Sequence, residues 1–376
     1  ENRARFLDLG SHDNGAGPMF NMTALAMRSA ASVNGVSQLH GEVTRQMWQG
    51  LWPGTPAHKV PVKSLTNGVH VPTWISAEIA RLLDRYLGPE WTENHDDPAL
   101  CDRVLDIPDE ELWNARVALR TFLFQFVRER ARQRWTTEGG AAARVVAAGT
   151  MFDQNALTIG YARRFTGYKR PELLFTDPQG LAAILSKWGR PVQFVFAGKA
   201  HPADDIGKHH LQHIYQRALD PMCGGRIAVV DDYDLHVAHF LVQGCDVWLN
   251  NPRKPLEASG TSGMKAAING TPPLSIGDGW WAEGFTGENG WLIEGTANPD
   301  DHPAQDWADA QALYTLLEQQ VVPAFYDRDG SGIPHRWLQT VKQSIRTVLP
   351  RFSVGRMVKE YVREMYVPAV TEPRNA

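Results

Sequence analysis

A segment of small and polar residues that ends in a lysine carries the clearest chemical signal in this sequence. It runs from Glu257 to Ala267 and reads Glu-Ala-Ser-Gly-Thr-Ser-Gly-Met-Lys-Ala-Ala. Small side chains let backbone amides approach a ligand closely, and a helix predicted to begin at Met264 adds free N–H groups and the positive end of its dipole. The segment therefore predicts an anion site, with an ordinary tight turn as the alternative. It matches neither a Walker loop nor a G-x-G-x-x-G fingerprint.

A second segment, residues 161–171, concentrates positive charge just after a predicted strand. It contains Arg163, Arg164, Lys169 and Arg170, and a helix is predicted to begin at Pro171. Guanidinium groups bind phosphate oxygens in pairs, and an ammonium adds a compact charge. A solvated basic turn is the alternative, but the position at the end of a strand favours an oxyanion site.

Three weaker patterns have simpler explanations. Ser262 and Lys265 fit the S-x-x-K motif of penicillin-binding enzymes, but neither S-D-N nor K-T-G occurs in the sequence. The Asp-Tyr-Asp string at 232–234 resembles a D-x-D metal site, yet a turn with solvated charges is the better interpretation. Three histidines within residues 209–213 allow i, i+4 pairing, although an exposed helix face is expected there. We therefore predict no metal site.

Four short aliphatic runs predict the strands that must position these segments, and amphipathic, helical spacing lies between them. The runs are Leu157–Tyr161, Val192–Phe196, Ile227–Val230 and Val247–Leu249. Such alternation is typical of an α/β fold with a doubly wound parallel sheet, in which ligands bind beyond the carboxyl ends of the strands. Polar residues follow each run, so we expect them to converge on one crevice. The cations expected to gather there are Arg163, Arg164, Lys169, Lys199 and Lys265.

The rest of the chain is predicted to be mainly helical. Helices are expected at about residues 21–31, 35–50, 75–89 and 109–137, and again after about Asp306, ending with residues 352–366. The Asn67-Gly68 turn dipeptide marks a domain boundary. We therefore expect residues 1–68 to be the end of one domain and residues 69–376 to be an α/β domain with terminal helices.

The composition excludes several classes of protein. Lys and Arg number 38 and Asp and Glu 42, so the formal net charge of −4 gives no general attraction to nucleic acid or anionic membranes. No apolar run is long enough to span a bilayer, and three scattered cysteines suit neither a disulfide framework nor a C-x-x-C metal site. A cytoplasmic protein is expected. Because the chain begins with Glu1 and not with Met, we expect a fragment of a longer protein.

Several motifs occur together in a fixed order. Glu-Ala-Ser-Gly-Thr with Gly-Met-Lys lies at 257–265, Tyr-Lys-Arg at 168–170, Val-Asn-Gly-Val at 33–36 with His40 after it, and Thr-Asn-Gly-Val at 66–69. Together they resemble the α-glucan (glycogen, starch) phosphorylases in their divergent bacterial form. The resemblance covers nearly all of this chain. It covers only about the carboxyl-terminal half of a full family member. It implies a GT-B-like glycosyltransferase architecture, with residues 1–68 as the end of the amino-terminal domain.

The resemblance implies that the chain binds pyridoxal 5′-phosphate. Lys265 matches the lysine that holds this cofactor as a Schiff base. The remaining matches are the groups that cradle the cofactor's 5′-phosphate and two residues near the cofactor. They are Arg163, Gly260, Thr261, Ser262, Tyr233 and Trp74.

The resemblance also implies the substrates, which are an α-1,4-glucan such as glycogen, starch or maltodextrin and inorganic phosphate. Arg164 and Lys169 match the cations that bind the substrate phosphate. The positions that match glucosyl-binding groups are Asn67, Glu257, Ser259 and Gly260. The expected reaction releases α-glucose 1-phosphate with retention, and the cofactor's phosphate aids proton transfer to the glycosidic oxygen. Family members are often dimers or larger, so a homo-oligomer is consistent with the resemblance.

Two other functions stay open. Retaining sugar-nucleotide transferases of the GT-B type carry two glutamates eight positions apart, of which the second holds the donor's ribose. Here that second position is Lys265, which favours a cofactor aldehyde. A glucan synthase-like transferase is therefore the first alternative, and a non-catalytic glucan-binding fragment is the second. Asp234 and the Ser262-Gly263 pair depart from the animal and plant enzymes, so part of the cofactor-phosphate clamp is expected to differ.

Overall fold

Strands and helices alternate through most of the chain. The computed structural model describes residues 2–13, 15, 17–137, 152–187, 189–223, 225–298 and 300–371. The strands are β1 (Ser11–Asp13), β2 (Pro18–Phe20), β3 (Val33–Gly35), β4 (Val62–Ser64), β5 (Leu157–Ala162), β6 (Val192–Ala197), β7 (Ile227–Val230), β8 (Val247–Asn250), β9 (Pro273–Ile276) and β10 (Trp291–Ile293).

Helices lie between the strands of the sheet, and the elements that follow the last strand are all helical. The helices are α1 (Asn2–Gly10), α2 (Met22–Ser29), α3 (Gln38–Met47), α4 (Val71–Trp74), α5 (Ala77–Leu87), α6 (Trp91–Asn94), α7 (Pro98–Cys101), α8 (Asp109–Thr137), α9 (Pro178–Leu185), α10 (Asp205–Ala218), α11 (Leu235–Gly244), α12 (Thr261–Ala267), α13 (Trp281–Gly284), α14 (His302–Leu316), α15 (Val322–Tyr326), α16 (His335–Arg351), α17 (Val354–Tyr361) and α18 (Val367–Thr371). Within the described residues, none of these helices is both long and apolar enough to cross a membrane.

Among the described residues, six strands form one parallel sheet in the order β10-β9-β8-β5-β6-β7. The chain builds outward from β5 to β7, crosses back, and builds outward again from β8 to β10. The strand order therefore reverses between β5 and β8, and in such sheets ligands bind beyond the carboxyl ends of the two strands at the reversal. The predicted α/β fold with a doubly wound parallel sheet is confirmed.

The two longest strands of this sheet are buried along their whole length. Every residue of β5 and β6 is buried, because helices cover both faces of the sheet. Ala162 at the end of β5 pairs with Ala197 at the end of β6, so the residues that follow leave the sheet at the same level. This register brings the segments after the two strands to one edge of the sheet.

The first region and the last helices lie against each other where the chain crosses between them. Val69 forms an isolated bridge with Ser353, and Arg356 Nη1 donates to Thr66 O at 2.8 Å. Farther along, Asn34 Nδ2 donates to Tyr361 OH at 2.8 Å. The outgoing and the returning segments therefore run side by side at residues 66–69 and 353–356.

Two predicted helix starts are wrong. No helix begins at Pro171, because Arg170 has the left-handed φ of 45° and residues 171–172 form a turn before a short 3₁₀ segment at Leu173–Phe175. Helix α12 begins at Thr261 and not at Met264, because Gly260 adopts a φ of 86° and leads directly into it. Strands β9 and β10 were not among the predicted elements.

Candidate active site

Most of the residues that the sequence motifs indicate lie beyond the ends of β5 and β8, where the strand order reverses. Arg163 follows β5 directly, and Asn251 follows β8. The loop from Asn251 to α12 carries Glu257, and it is tied to the basic segment because Arg253 N donates to Tyr168 O at 2.7 Å. The two segments predicted to bind anions therefore lie next to each other.

Glu257 lies at the centre of a buried cluster of charges. Its carboxylate accepts a hydrogen bond from Arg163 Nη2 at 3.1 Å and another from Lys169 Nζ at 2.8 Å. The three side chains are only 8–10% exposed, so solvent screens their interaction little. Removing one partner from such a buried group leaves an uncompensated charge, which costs about 3–5 kcal/mol. We call Arg163, Lys169 and Glu257 the charge cluster.

The surroundings of Lys169 lower the pKa of its side chain. Burial, followed by the positive charge of Arg163, lowers the pKa of Lys169 to about 8, although Glu257 opposes the shift. The lysine is still mostly protonated at neutral pH and holds the Glu257 carboxylate. An anion that enters the crevice therefore meets an ammonium group that already has a partner.

The four cations of the basic segment have different roles. Arg170 is structural, because it donates to Asn251 O and Pro252 O and forms an ion pair with Asp309. Arg164 is exposed, and in the part of the chain that the structure describes it makes neither a hydrogen bond nor an ion pair. Arg164 is therefore available to a ligand, whereas Arg170 holds the two loops together.

Lys265 lies on α12 against a tryptophan ring. Its Nζ lies 3.8 Å from the centroid of the Trp74 ring, and the same ring stacks on His239 with centroids 4.4 Å apart. Burial lowers the pKa of Lys265, which raises the fraction of the neutral, nucleophilic amine. The family resemblance implied that Lys265 and Trp74 both lie at the cofactor, but the sequence gave no signal for His239.

The start of α12 presents unsatisfied backbone donors. Gly260 is the N-cap residue, and its positive φ is one that glycine adopts without strain. Among the described residues, the amide N–H groups of Gly260, Thr261 and Ser262 donate to no protein acceptor. Trp248 Nε1 donates to Ser262 Oγ at 3.2 Å and fixes this first turn against the sheet.

Several buried polar atoms around the crevice also have no hydrogen-bond partner within the described residues. They are Arg163 Nη1, Thr166 Oγ1, Asn250 Oδ1, Asn251 Oδ1 and Ser259 Oγ. A buried polar group left unpaired costs about 1–3 kcal/mol, so this set indicates a place for a polar ligand. Guanidinium and hydroxyl donors suit phosphate oxygens, and amide oxygens suit sugar hydroxyl groups.

The first region of the chain reaches the 257–260 segment. Ser37 Oγ donates to Ala258 O at 2.8 Å. Asn67 lies at the crossing between the two regions, where its backbone N–H donates to Val36 O and its carbonyl accepts from Arg356 Nη2. Its half-buried side chain makes no hydrogen bond in the described residues, so its amide is available to a ligand.

Tyr233 interacts electrostatically with Arg163, whereas its neighbour Asp234 does not join the charge cluster. Burial raises the pKa of Tyr233, and the positive charge of Arg163 opposes that shift. Asp234 is exposed and caps α11, because its Oδ1 accepts from Val237 N at 2.8 Å. The predicted departure at Asp234 therefore has a structural explanation, which is that this residue serves a helix end.

Lys199 lies at the end of the neighbouring strand, where its carbonyl accepts a hydrogen bond from Phe165 N at 3.0 Å. That its side chain gathers with the other cations stays a prediction. Lys199 is exposed and lines a separate cavity of about 700 Å³ with Arg130, Asp231 and Asp232. It follows β6, which is one strand farther from the reversal than β5.

Asp278 is a site residue for which sequence reasoning gave no role. It is fully buried, and its Oδ2 accepts from Glu257 N at 2.9 Å while its Oδ1 accepts from Gly279 N at 2.8 Å. Burial raises the pKa of Asp278 to about 6. Asp278 lies between two glycines, two residues after the end of β9. This position is the signal that could have indicated it, but β9 was not predicted.

Two of the three histidines within residues 209–213 pair with a carboxylate. Glu172 is held by two histidines of α10, with His210 Nδ1 lying 2.5 Å from Glu172 Oε1 and His213 Nδ1 against Glu172 Oε2. Among the residues that the structure describes, no group of three or more His, Cys, Asp or Glu side chains is arranged to hold a metal ion.

Comparisons with known proteins identify what the chain is similar to. The family model for carbohydrate phosphorylases matches residues 12–283. The chain is 45% identical to a glycogen phosphorylase of Aquifex aeolicus over 98% of its length and 52% of that protein, and 43% identical to a maltodextrin phosphorylase of Thermococcus litoralis over 97% of its length and 42% of that protein. A glycogen phosphorylase of Mycobacterium tuberculosis is 44% identical over 97% of the chain and 42% of the relative. The chain thus spans about half the length of these curated relatives.

Proposed function

This chain belongs to the carbohydrate phosphorylase family, and we propose that it forms the cofactor- and phosphate-binding part of an α-1,4-glucan phosphorylase. In this proposal, residues 1–68 end the amino-terminal domain and residues from 69 onward form the domain that binds pyridoxal 5′-phosphate. The observation that carries the proposal is the buried charge cluster at the strand reversal, with Lys265 on the helix that follows its glutamate.

The residues around Lys265 fit pyridoxal 5′-phosphate. Lys265 is half-buried with a lowered pKa, as the covalent partner of an aldehyde requires. Arg163 Nη1 and the free amides at Gly260, Thr261 and Ser262 are donors without partners, and such donors suit the cofactor's 5′-phosphate. Trp74 and Tyr233 would flank the cofactor. When bound, this cofactor supplies a phosphate group that exchanges a proton with inorganic phosphate.

Arg164 and Lys169 would hold the substrate phosphate. Arg164 is exposed and unpaired in the described residues, so it offers two parallel donors to an entering anion. Lys169 is already bound to Glu257, and phosphate must compete with that carboxylate for the ammonium group. Phosphate that wins this competition frees Glu257 to accept hydrogen bonds from a sugar.

Glu257, Ser259, Gly260 and Asn67 would bind the terminal glucosyl unit. Ser259 Oγ is buried without a partner in the described part of the chain, and the Asn67 amide is likewise free. Asp278 fixes the backbone of Glu257 through its N–H group. Sugar hydroxyl groups both donate and accept, so this mixture of carboxylate, hydroxyl and amide groups suits them.

The proposed reaction moves one glucosyl unit from the glucan to inorganic phosphate. The bond between C1 and the glycosidic oxygen breaks, phosphate gives that oxygen a proton, and a phosphate oxygen then bonds to C1 on the same face. The products are α-glucose 1-phosphate and a glucan shorter by one unit. Because phosphate acts as both acid and nucleophile, no pair of catalytic carboxylates is needed.

The structure favours this reaction over nucleotide-sugar transfer. A synthase of this architecture needs a carboxylate for the donor's ribose where the chain has Lys265, and the Lys265 amine lies against Trp74. A glucan synthase-like transferase therefore lacks its acceptor group. The buried thiols of Cys101, Cys223 and Cys245 are free, which agrees with the cytoplasmic setting that we propose.

A product assay with matched variants tests the proposal. Glucan is supplied with phosphate or with a nucleotide glucose, to this chain with pyridoxal 5′-phosphate and to a longer family member that carries the same substitutions. We expect glucose 1-phosphate only with phosphate, no product from Lys265→Ala, and a phosphate KM raised about tenfold in Arg164→Ala. Lys199→Ala is the control, because it removes an exposed lysine from the neighbouring strand end. Chain growth from nucleotide glucose, or equal kinetics in Arg164→Ala and wild type, would contradict the proposal.

A further inference from the structure

One buried amide connects the turn that carries Trp74 to the helix that carries Lys265. The side chain of Asn269 is fully buried, and its Nδ2 donates to both Trp74 O and Lys265 O at 2.8 Å. We propose that Asn269 is a positioning residue, which holds the Trp74 ring against Lys265 and so shapes the cofactor site. This inference rests on the proposed function.

Both donors and the acceptor oxygen of this amide are engaged, so it makes three of the four hydrogen bonds that it can form. Asn269 Oδ1 accepts from Ser76 N at 2.7 Å, so α4 and α5 are both tied to Asn269. The backbone of Asn269 is fixed as well, since its carbonyl accepts from Arg116 Nη1 at 2.7 Å, and Arg116 is itself buried. An amide whose two donors and oxygen are all held by fixed backbone groups has one orientation available to it.

The position of the Trp74 ring follows from this anchor. Trp74 O accepts a second hydrogen bond from Gln243 Nε2 at 3.3 Å, so two side-chain amides hold the backbone from which the ring projects. The ring itself lies between groups with which it interacts, namely Lys265 Nζ at 3.8 Å and the imidazole of His239 at 4.4 Å. A shift of the 74–76 backbone therefore moves the ring relative to the amine.

A helix-capping role alone does not account for these contacts. A cap for α12 needs only the hydrogen bond to Lys265 O, whereas the second donor and the acceptor of Asn269 serve the 74–76 turn. Asn269 thus joins the two residues that form the cation–π pair. Without this connection, Trp74 O would keep only the longer hydrogen bond from Gln243, and nothing in the described residues would tie its backbone to that of Lys265.

Asn289 offers a matched control elsewhere in the fold. It is also fully buried, its Nδ2 donates to Gly284 O and Thr347 Oγ1 at 2.9 Å, and its Oδ1 accepts from Thr286 N at 3.0 Å. The two asparagines therefore make the same number of side-chain hydrogen bonds. Only Asn269 contacts Trp74 and Lys265.

The test compares Asn269→Asp with Asn289→Asp in the full chain. Each substitution keeps the size of the side chain and one acceptor oxygen. It replaces the NH₂ group, which donates two hydrogen bonds, with a carboxylate oxygen that faces the same two acceptors. We expect both variants to unfold at lower temperature. The Kd for pyridoxal 5′-phosphate, followed by the absorbance of the lysine-bound cofactor, should rise about tenfold or more in Asn269→Asp and stay within about twofold in Asn289→Asp.

A double-mutant cycle with Trp74→Leu tests whether Asn269 acts through the ring. If it does, Asn269→Asp should weaken cofactor binding by less than about twofold once Trp74 is absent, because coupled residues are not additive. If Asn269→Asp does not fold, Asn269→Ser replaces it, since serine keeps one small donor.

Two results would overturn the inference while leaving the proposed function intact. One is a folded Asn269 variant with wild-type cofactor affinity, and the other is full additivity with Trp74→Leu. Failure of the wild-type chain to bind the cofactor would instead count against the proposed function.

Discussion

Lys169 Nζ lies 2.8 Å from Glu257 Oε2, although these residues are assigned to different ligands, phosphate and sugar. The carboxylate thus already binds the ammonium group to which we assign the substrate phosphate. Arg163 binds the same carboxylate at 3.1 Å, so the charge cluster contains two cations and one anion. If the proposed function holds, phosphate entry and the release of Glu257 toward the sugar would be parts of one exchange.

The first prediction concerns Glu257→Gln, which removes the internal anion and keeps the size of the side chain. The two buried cations then repel each other without compensation, so we expect a loss of about 3 kcal/mol in the free energy of unfolding. Added phosphate should raise the unfolding temperature of this variant more than that of the wild type, because phosphate replaces the missing charge. Thermal unfolding with increasing phosphate measures both effects.

Glu283→Gln is the control for that experiment. Glu283 is a half-buried carboxylate that accepts from Thr66 Oγ1 and Gln38 N and lies outside the charge cluster. Its replacement should leave the phosphate response unchanged. An equal response to phosphate in wild type and in Glu257→Gln would show that Glu257 does not compete with the anion.

The second prediction concerns the pH dependence of anion binding at Lys169. Its pKa in the folded chain is about 8, so the cation is lost as the pH rises through that value. Sulfate is the suitable probe, because its charge is constant between pH 7 and pH 9.5. We expect its affinity to fall above about pH 8 in the wild type but to stay level in Lys169→Arg, since arginine remains charged.

Lys199→Arg should show the wild-type fall in sulfate affinity, because it leaves Lys169, the group whose charge is lost near pH 8, unchanged. A stability measurement gives the opposite sign. The folded chain binds fewer protons at Lys169 than the unfolded chain between about pH 8 and pH 10.5, so the contribution of Lys169 to stability rises with pH in that window. A sulfate affinity that is level through pH 8 in the wild type would contradict the assignment.

The third prediction concerns His335, which links α16 to two carboxylates. Its Nδ1 lies 2.6 Å from Asp109 Oδ2 and its Nε2 lies 3.0 Å from Asp329 Oδ2. These hydrogen bonds raise the pKa of His335 above its usual 6.5. The stability that the protonated ring contributes is therefore complete below about pH 6.5 and is lost as the pH rises through the higher folded value.

Urea unfolding of wild type and His335→Gln from pH 6 to pH 9 measures this effect. The difference between them should shrink as the pH rises. His58→Gln, which replaces an exposed histidine of a short 3₁₀ turn, should show no such trend. A pH-independent difference for His335→Gln would mean that the ring acts only by its shape.

The fourth prediction concerns Gly68, where the chain crosses between its two regions. A Cβ atom at this position would lie 2.2 Å from Ser353 O, which is a backbone atom that cannot move aside alone. Gly68→Ala should therefore destabilise the chain by about 1–3 kcal/mol and displace the neighbouring Asn67. Gly50→Ala, whose Cβ meets nothing within 4 Å, should change stability by less than about 0.5 kcal/mol. Equal effects of the two substitutions in urea unfolding would contradict this packing.

The long helix and the central strands were predictable from local sequence. Helix α8 spans the predicted residues 109–137, because three acidic side chains begin it and no glycine or proline interrupts it. Strands β5 to β8 are aliphatic or aromatic runs that helices bury on both faces. In contrast, β9 has four residues and β10 has three. Pro273 and Ser275 interrupt the apolar run in β9, so neither strand was recognisable from the sequence.

The residues of the site were easier to predict than their partners. Motifs indicated Arg163, Lys169 and Glu257, yet nothing local says that residues 88 or more positions apart form one ion cluster. Arg170 and Arg164 look alike in sequence, but only the fold shows that one is bound by Asp309 and the other is exposed. Such distinctions depend on long-range packing and not on spacing.

The most direct test of the central claim is covalent labelling of Lys265. The purified chain is incubated with pyridoxal 5′-phosphate, reduced with borohydride and digested, and the modified peptide is identified by mass spectrometry. We expect the label on Lys265, with little on Lys169 or Lys199, and none on that peptide in Lys265→Ala. A chain that stays unlabelled at Lys265, or that is labelled equally on exposed lysines, would contradict the account.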